Sequence, residues 1–221
     1  MNNFKVCIFD LDGTLINSLA DLANCVNEAL ELHSLPTHHP GNYNYFVGNG
    51  VKNLIRAAMG DKAEDEKLFT SVYKAFNLLY NEKCLEFTQP YAGIDEMLYE
   101  LKNNGIKLCV LSNKTDSFAK RIVNSLFSHS TFDSVWGKKE DFPTKPSPDS
   151  ALTMIKELGY QPSDCLYIGD SDVDLKTARN ADLKFCGVEW GFRGKDELLE
   201  NGAKVIVKKP SEIVKLVCVD E

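Results

Sequence analysis

No stretch of this sequence is apolar for long enough to cross a bilayer, which removes a transmembrane reading. No long basic run is present either. Lys138-Lys139 and Lys208-Lys209 are isolated pairs in a chain of net charge −7, so neither a nucleic-acid nor a membrane-surface partner is expected. The seven cysteines are odd in number and contain no C-x-x-C pair, which argues against a disulfide framework and a zinc site. Internal repeats and low-complexity segments are also missing. The amino terminus, Met1 to Lys5, runs straight into an apolar strand without the long apolar core of a signal peptide, so a reducing cytoplasm is the expected setting.

The sequence is otherwise that of an ordinary globular protein, with 43% hydrophobic and 26% charged residues in 221 positions. Its rhythm changes along the chain. After residue 90, short apolar runs alternate with helical stretches: 105–111, 132–136, 165–169, 183–188 and 204–207, with helical patterns at 151–158 and 212–217. Such alternation predicts an α/β fold with a Rossmann-like parallel sheet flanked by helices, joined by a first strand over 4–10. Between residues 16 and 83 the spacing is helical instead, as in Leu19, Leu22, Ala23, Val26, Ala29 and Leu30. The expectation is an inserted α-helical bundle over 16–83, with the sheet domain made of 1–15 and 84–221 and hinges near 16–18 and 83–91.

Chemistry is concentrated at predicted strand ends. Asp10 and Asp12 close the first strand, and Gly13 lets the backbone turn and approach a ligand. Ser112-Asn113-Lys114 ends a second strand, although Ser112 or Asn113 could equally cap the following helix. Lys145 lies between Thr144 and Pro146 in a proline-stiffened loop. Asp170, Asp172 and Asp174 follow a third strand, and such crowding calls for a cation or hydrogen-bond donors among the carboxylates. Mg²⁺ suits an all-oxygen site of this kind. Together the clusters are equipment for phosphoryl transfer. Asp10 can attack phosphorus, Asp12 can serve as acid and then base, and Ser112, backbone amides and Lys145 can hold the transferred group.

In this order, Asp10-x-Asp12-Gly13-Thr14, then Ser112, then Lys145, then Gly169-Asp170 with Asp174, the chain resembles the haloacid dehalogenase superfamily of phosphatases across essentially its whole length. The resemblance implies a helical cap inserted after strand one. It also implies Mg²⁺ held by Asp10, the backbone carbonyl of Asp12 and Asp170, with Asp174 supporting indirectly. Gly13, Thr14, Asn113 and Arg56 join Lys145 as the candidate phosphate- and substrate-binding set. The second aspartate, Asp12, points to phosphate esters or anhydrides rather than dehalogenation. Phe46 to Ala57 and Val188 to Arg193 are similar to the phosphoglycolate phosphatase subgroup, with Lys52 and Arg56 as cations for a second anionic group. Asn17 departs from the aspartate the family often has at the hinge.

The expected substrate is therefore a small phosphorylated metabolite, phosphoglycolate foremost, handled by a monomer or homodimer. Pyrophosphate, nucleotides, sugar phosphates and a β-phosphoglucomutase-like transfer share the same motifs. A phospho-accepting signalling domain would also have an acid cluster and a lysine, but not this helical insertion. Lys114 is either a helix-start residue or a substrate contact, and His38-His39 reads as an exposed loop.

Overall fold

The computed structural model describes residues 4–218. β1 (Val6–Phe9) is buried along its whole length, as befits a strand covered on both faces. A tight turn leads into β2 (Ile16–Asn17), and four helices follow: α1 (Leu19–Glu31), α2 (Tyr43–Phe46), α3 (Val51–Met59) and α4 (Glu66–Lys83). The chain returns through β3 (Gln89–Pro90), which pairs antiparallel with β2. The remainder alternates: α5 (Ile94–Asn103), β4 (Lys107–Thr115), α6 (Asp116–Leu126), β5 (Ser134–Lys138), α7 (Asp149–Glu157), β6 (Cys165–Gly169), α8 (Asp172–Asn180), β7 (Lys184–Val188), α9 (Gly194–Glu200), β8 (Ile206–Val207) and α10 (Pro210–Val217).

Six strands make one sheet in the order β5-β4-β1-β6-β7-β8, parallel throughout. The two-residue side-chain period splits the apolar runs between its faces. Cys7, Phe9, Leu108, Val110, Leu166 and Ile168 enter one buried cluster. Val6, Ile8, Cys109, Leu111, Cys165 and Tyr167 enter the other, against Ala151 and Met154 of α7. Because β4 lies on one side of β1 and β6 on the other, the chain order reverses at β1. Open α/β sheets bind ligands in the crevice at such a point, beyond the carboxyl ends of the strands.

The helical stretch packs α1 against α4 and continues the first cluster through Leu22, Val26, Val72 and Phe76. Asp65 caps α4 by accepting from the backbone N–H groups of Lys67 and Leu68. Buried Asp21 of α1 accepts from Phe87 N, Thr88 N and Thr88 Oγ1, and so fixes the returning chain.

Several element limits differ from those expected. The β2–β3 ribbon is too short for a periodic signal, β4 runs on to Thr115, and β5 lies two residues later than its apolar run. The β4–β5 register shifts between Leu111 and Thr115, where the polar Ser112 and Asn113 end the apolar pattern. His38 is half-buried rather than exposed, with its Nε2 2.6 Å from Ala58 O and its ring edge-on to Phe46. Among the described residues no helix is long and apolar enough to cross a membrane.

Candidate active site

Asp10 stands one residue past β1, Asp170 one residue past β6, and Ser112 on β4, so three neighbouring strands deliver them to one edge. The turn after β1 needs its glycine. Gly13 has φ +85°, and a Cβ there would lie 2.5 Å from Asp170 Oδ2. Thr14 Oγ1 donates to Asp170 Oδ1 at 3.2 Å, and Phe192 N donates to Asp170 Oδ2 at 2.8 Å.

Asp10, Asp170 and Asp174 are all buried, and each offers a carboxylate oxygen within 4.8 Å of the others. Lys145 is the cation among them. Its Nζ lies 2.7 Å from Asp174 Oδ1 and 2.9 Å from Asp10 Oδ1, and donates to Leu111 O at 3.1 Å. Asp174 is further satisfied by the hydroxyls of Ser171 and Tyr167. Asp10 is not. Its buried Oδ1 meets the ammonium that Lys145 already shares with Asp174.

The electrostatics follow from this shortage of positive charge. Burial pushes the Asp10 carboxyl up to about 7, and Asp174 adds to the shift against the opposing pull of Lys145. Burial, then Asp174 and Asp10, hold Asp170 well above the usual carboxylate range. For Lys145, burial favours the neutral amine, but the two carboxylates outweigh it and keep the ammonium charged. Three buried carboxylates with one lysine between them make an all-oxygen set, short of positive charge, that fits a hard divalent ion such as Mg²⁺.

Asp12 faces a different partner. Lys114 Nζ lies 3.0 and 3.1 Å from its two oxygens, and Ser18 Oγ donates to Oδ1. Sequence reasoning left Lys114 unassigned. Its place directly after a strand ending in Ser112-Asn113 was the available signal. Lys114 is itself buried: burial opposes its charge, but Asp12 and the Tyr80 hydroxyl more than compensate and raise its pKa.

The other candidates are placed as follows. Ser112 lines the cleft, and its Oγ accepts from Lys114 N. Neither Ser112 nor Asn113 caps α6, which begins after Thr115 without a side-chain cap. Asn113 is a clamp: Nδ2 donates to Gly48 O and Lys145 O, while Oδ1 accepts from Lys145 N. Arg56 is not brought to the cleft. It donates to Ala63 O and Glu66 Oε1 and lies 4.1 Å over the Phe69 ring, because the far side of α3 meets α4 there. Asp172, to which no role was given, pairs with Lys176.

Residues 188–193, singled out in the sequence for their likeness to the phosphoglycolate phosphatase subgroup but given no role, pack against the site. Trp190 Nε1 donates to Thr14 O, and a Cβ on Gly191 would lie 2.2 Å from Asp170 Cβ. Arg193 then donates to Tyr45 O and Val47 O, the carbonyls beside the cleft-lining Gly48.

The family profile described as "Haloacid dehalogenase-like hydrolase" matches residues 7–188. The chain belongs to the haloacid dehalogenase-like hydrolases. Among curated members of this hydrolase family, it is 32% identical to the phosphoglycolate phosphatase of Aquifex aeolicus (strain VF5) over 212 residues, covering 96% of each chain. It is 31% identical to the phosphoglycolate phosphatase of Haemophilus influenzae (strain 86-028NP) over 195 residues, 86% of this chain and 87% of the relative. Among solved haloacid dehalogenase-like structures, a "predicted phosphoglycolate phosphatase" from Haemophilus somnus 129pt superposes with a TM-score of 0.91 at 28% identity, covering 98% of this chain and 99% of that one.

Proposed function

We propose that this hydrolase is a Mg²⁺-dependent phosphatase acting on a small phosphorylated metabolite through an aspartyl-phosphate, with phosphoglycolate as its substrate. The observation that carries the reading is Asp10. It is a buried carboxylate paired with the Lys145 ammonium, and it lines a cleft that also holds Asp12. Asp10 attacks phosphorus, and Asp12 gives a proton to the departing oxygen. Asp12 then takes a proton from the water that attacks the aspartyl-phosphate, which frees Asp10 and inorganic phosphate. Lys145 and Ser112 oppose the charge of the transferred group. Asp10, the Asp12 carbonyl and Asp170 would hold Mg²⁺, with Asp174 acting through Lys145. When bound, the ion supplies positive charge opposite the phosphoryl oxygens.

Residues 16–83 are read as a cap over this site, since α1, α3 and α4 supply Leu22, Leu54 and Phe76 to the cleft walls. The substrate assignment is supported by the names of the curated relatives. We place the protein in the cytoplasm as a monomer or homodimer, without nucleic-acid or membrane partners. The buried, unbridged Cys7, Cys25, Cys84, Cys109, Cys165 and Cys186 suit a reducing compartment.

The test is phosphate release from phosphoglycolate, pyrophosphate, nucleoside monophosphates and hexose phosphates, with and without Mg²⁺ and with Asp10→Asn as the blank. Mg²⁺-dependent release favouring phosphoglycolate is expected. Turnover by Asp10→Asn would overturn the mechanism, and a strong preference for another ester would overturn the substrate. Conversion between sugar phosphate isomers with little release would make the protein a phosphomutase.

A further inference from the structure

The main chain at 45–48, between α2 and α3, is held by side chains of the sheet domain. Arg193 Nη2 donates to Tyr45 O at 3.2 Å and to Val47 O at 3.0 Å, and Asn113 Nδ2 donates to Gly48 O at 3.0 Å. A four-residue helix such as α2 leaves its last carbonyls without intrahelical partners, so Tyr45 O is open to an outside donor. The Arg193 side chain is 11% exposed. Its guanidinium lies 5.5 Å over the Tyr45 ring, and its Nη1 is 3.6 Å from Glu197 Oε2. Covering a charge to this extent is costly unless its donors are used, and the two carbonyls use them.

The segment that carries this arginine is also locked to Asp170. Phe192 N donates to Asp170 Oδ2 at 2.8 Å. Gly191 fits so closely that a Cβ would lie 2.2 Å from Asp170 Cβ and 2.5 Å from Gly13 O. On the other side, Trp190 Nε1 donates to Thr14 O at 3.0 Å. Packed this tightly, Asp170 cannot shift without moving Phe192, and Arg193 is the next residue.

We infer that Arg193 is a positioning residue: it latches the 45–48 turn against the cleft, and through Phe192 it ties the strength of that latch to what Asp170 binds. The tie rests on the reading above that Asp170 holds Mg²⁺. Gly48 and Gly50 of the latched stretch line the cleft, so its position shapes the substrate site. Linkage makes the effect reciprocal. If Mg²⁺ favours the latched turn, the latched turn favours Mg²⁺ by the same factor.

The experiment is hydrogen exchange read by mass spectrometry on peptides covering 43–50, using the full chain in EDTA or in Mg²⁺, beside calorimetry with MgCl₂. In EDTA, Arg193→Met exchanges these amides faster than wild type by roughly tenfold to a hundredfold, the range for a hydrogen bond to a charged group. Mg²⁺ slows their exchange in wild type but not in Arg193→Met, which binds the ion about fivefold or more weakly, the low end of coupling between sites. Arg193→Lys, which keeps one charged donor, shifts each quantity part of the way, and it carries the test if Arg193→Met does not fold. Unchanged exchange over 43–50 in the variants overturns the latch. Faster exchange spread equally over α5 marks general destabilisation and overturns it too. Faster local exchange with Mg²⁺ affinity and Mg²⁺-induced slowing equal to wild type overturns the tie to Asp170. If wild type binds no Mg²⁺, the metal reading has failed and the tie with it, while the exchange in EDTA still decides the latch.

Discussion

Asp174 holds Lys145 in place: its Oδ1 lies 2.7 Å from the lysine Nζ, while its Oδ2 is fixed by the hydroxyl of Ser171 at the start of α8. The pair is fully buried, and breaking such a pair from one side is expensive because the other charge stays behind. Lys145→Met is expected to lower the stability of the metal-free protein by about 3–5 kcal/mol. Phosphate release should fall to near the Asp10→Asn blank. Urea unfolding and single-turnover assays on the same preparations check both halves.

Acidity should govern how strongly Mg²⁺ stabilises the fold. Asp10 ionises near 3.8 in an unfolded chain and at about 7 in the folded, metal-free protein. Its contribution is therefore fully present below the unfolded value and lost as pH rises through about 7. Metal binding needs the ionised form and displaces that proton. The melting temperature of metal-free protein should fall as pH rises from acidic to neutral, and the increase on adding Mg²⁺ should be larger at pH 8 than at pH 5. Thermal melts with EDTA or Mg²⁺ across that range test this, and a pH-independent increase would contradict it.

Gly13 leaves no room for a side chain. With φ at +85° and Asp170 Oδ2 2.5 Å from any Cβ, Gly13→Ala must either displace Asp170 or strain the turn. A loss of about 1–3 kcal/mol is expected, together with loss of the Mg²⁺-induced rise in melting temperature.

Arg56 provides a contrast. Its partners are Ala63, Glu66 and the Phe69 ring, all on the side of α3 turned from the cleft. Arg56→Gln should keep kcat/KM within about twofold and cost about 0.5–1 kcal/mol, the worth of an exposed ion pair and cation–π contact. A larger loss of activity with unchanged stability would return Arg56 to the substrate.

The sheet and its acidic edge were legible because both depend on local signals. Buried parallel strands read as apolar runs, and Asp10, Asp12, Asp170 and Asp174 stand out where those runs stop. What escaped depends on contacts between distant residues. Lys114 meets Asp12 across 102 positions, and Trp190 meets Thr14 across 176. A lysine or tryptophan carries no mark of such a partner. Arg56 was misplaced for the complementary reason: periodicity locates a cation on a helix but not which of two flanking helices it reaches. Thr14 and Asn113 lie in the right place, yet their hydrogen bonds go to Asp170 and to the Gly48 and Lys145 backbones.

The β2–β3 ribbon pairs Ile16 with Pro90 and Asn17 with Gln89. The chain thus departs from the sheet and rejoins it at adjacent points, after an excursion of more than seventy residues. Loop-closure entropy rises only slowly with length, so the sheet is nearly indifferent to how long that excursion is. An ancestral gene could lengthen, shorten or exchange the intervening helices while Asp10, Lys145 and Asp170 kept their register. The ribbon is a graft junction: Asp10, Lys145 and Asp170 belong to the stock, and the intervening helices are the scion.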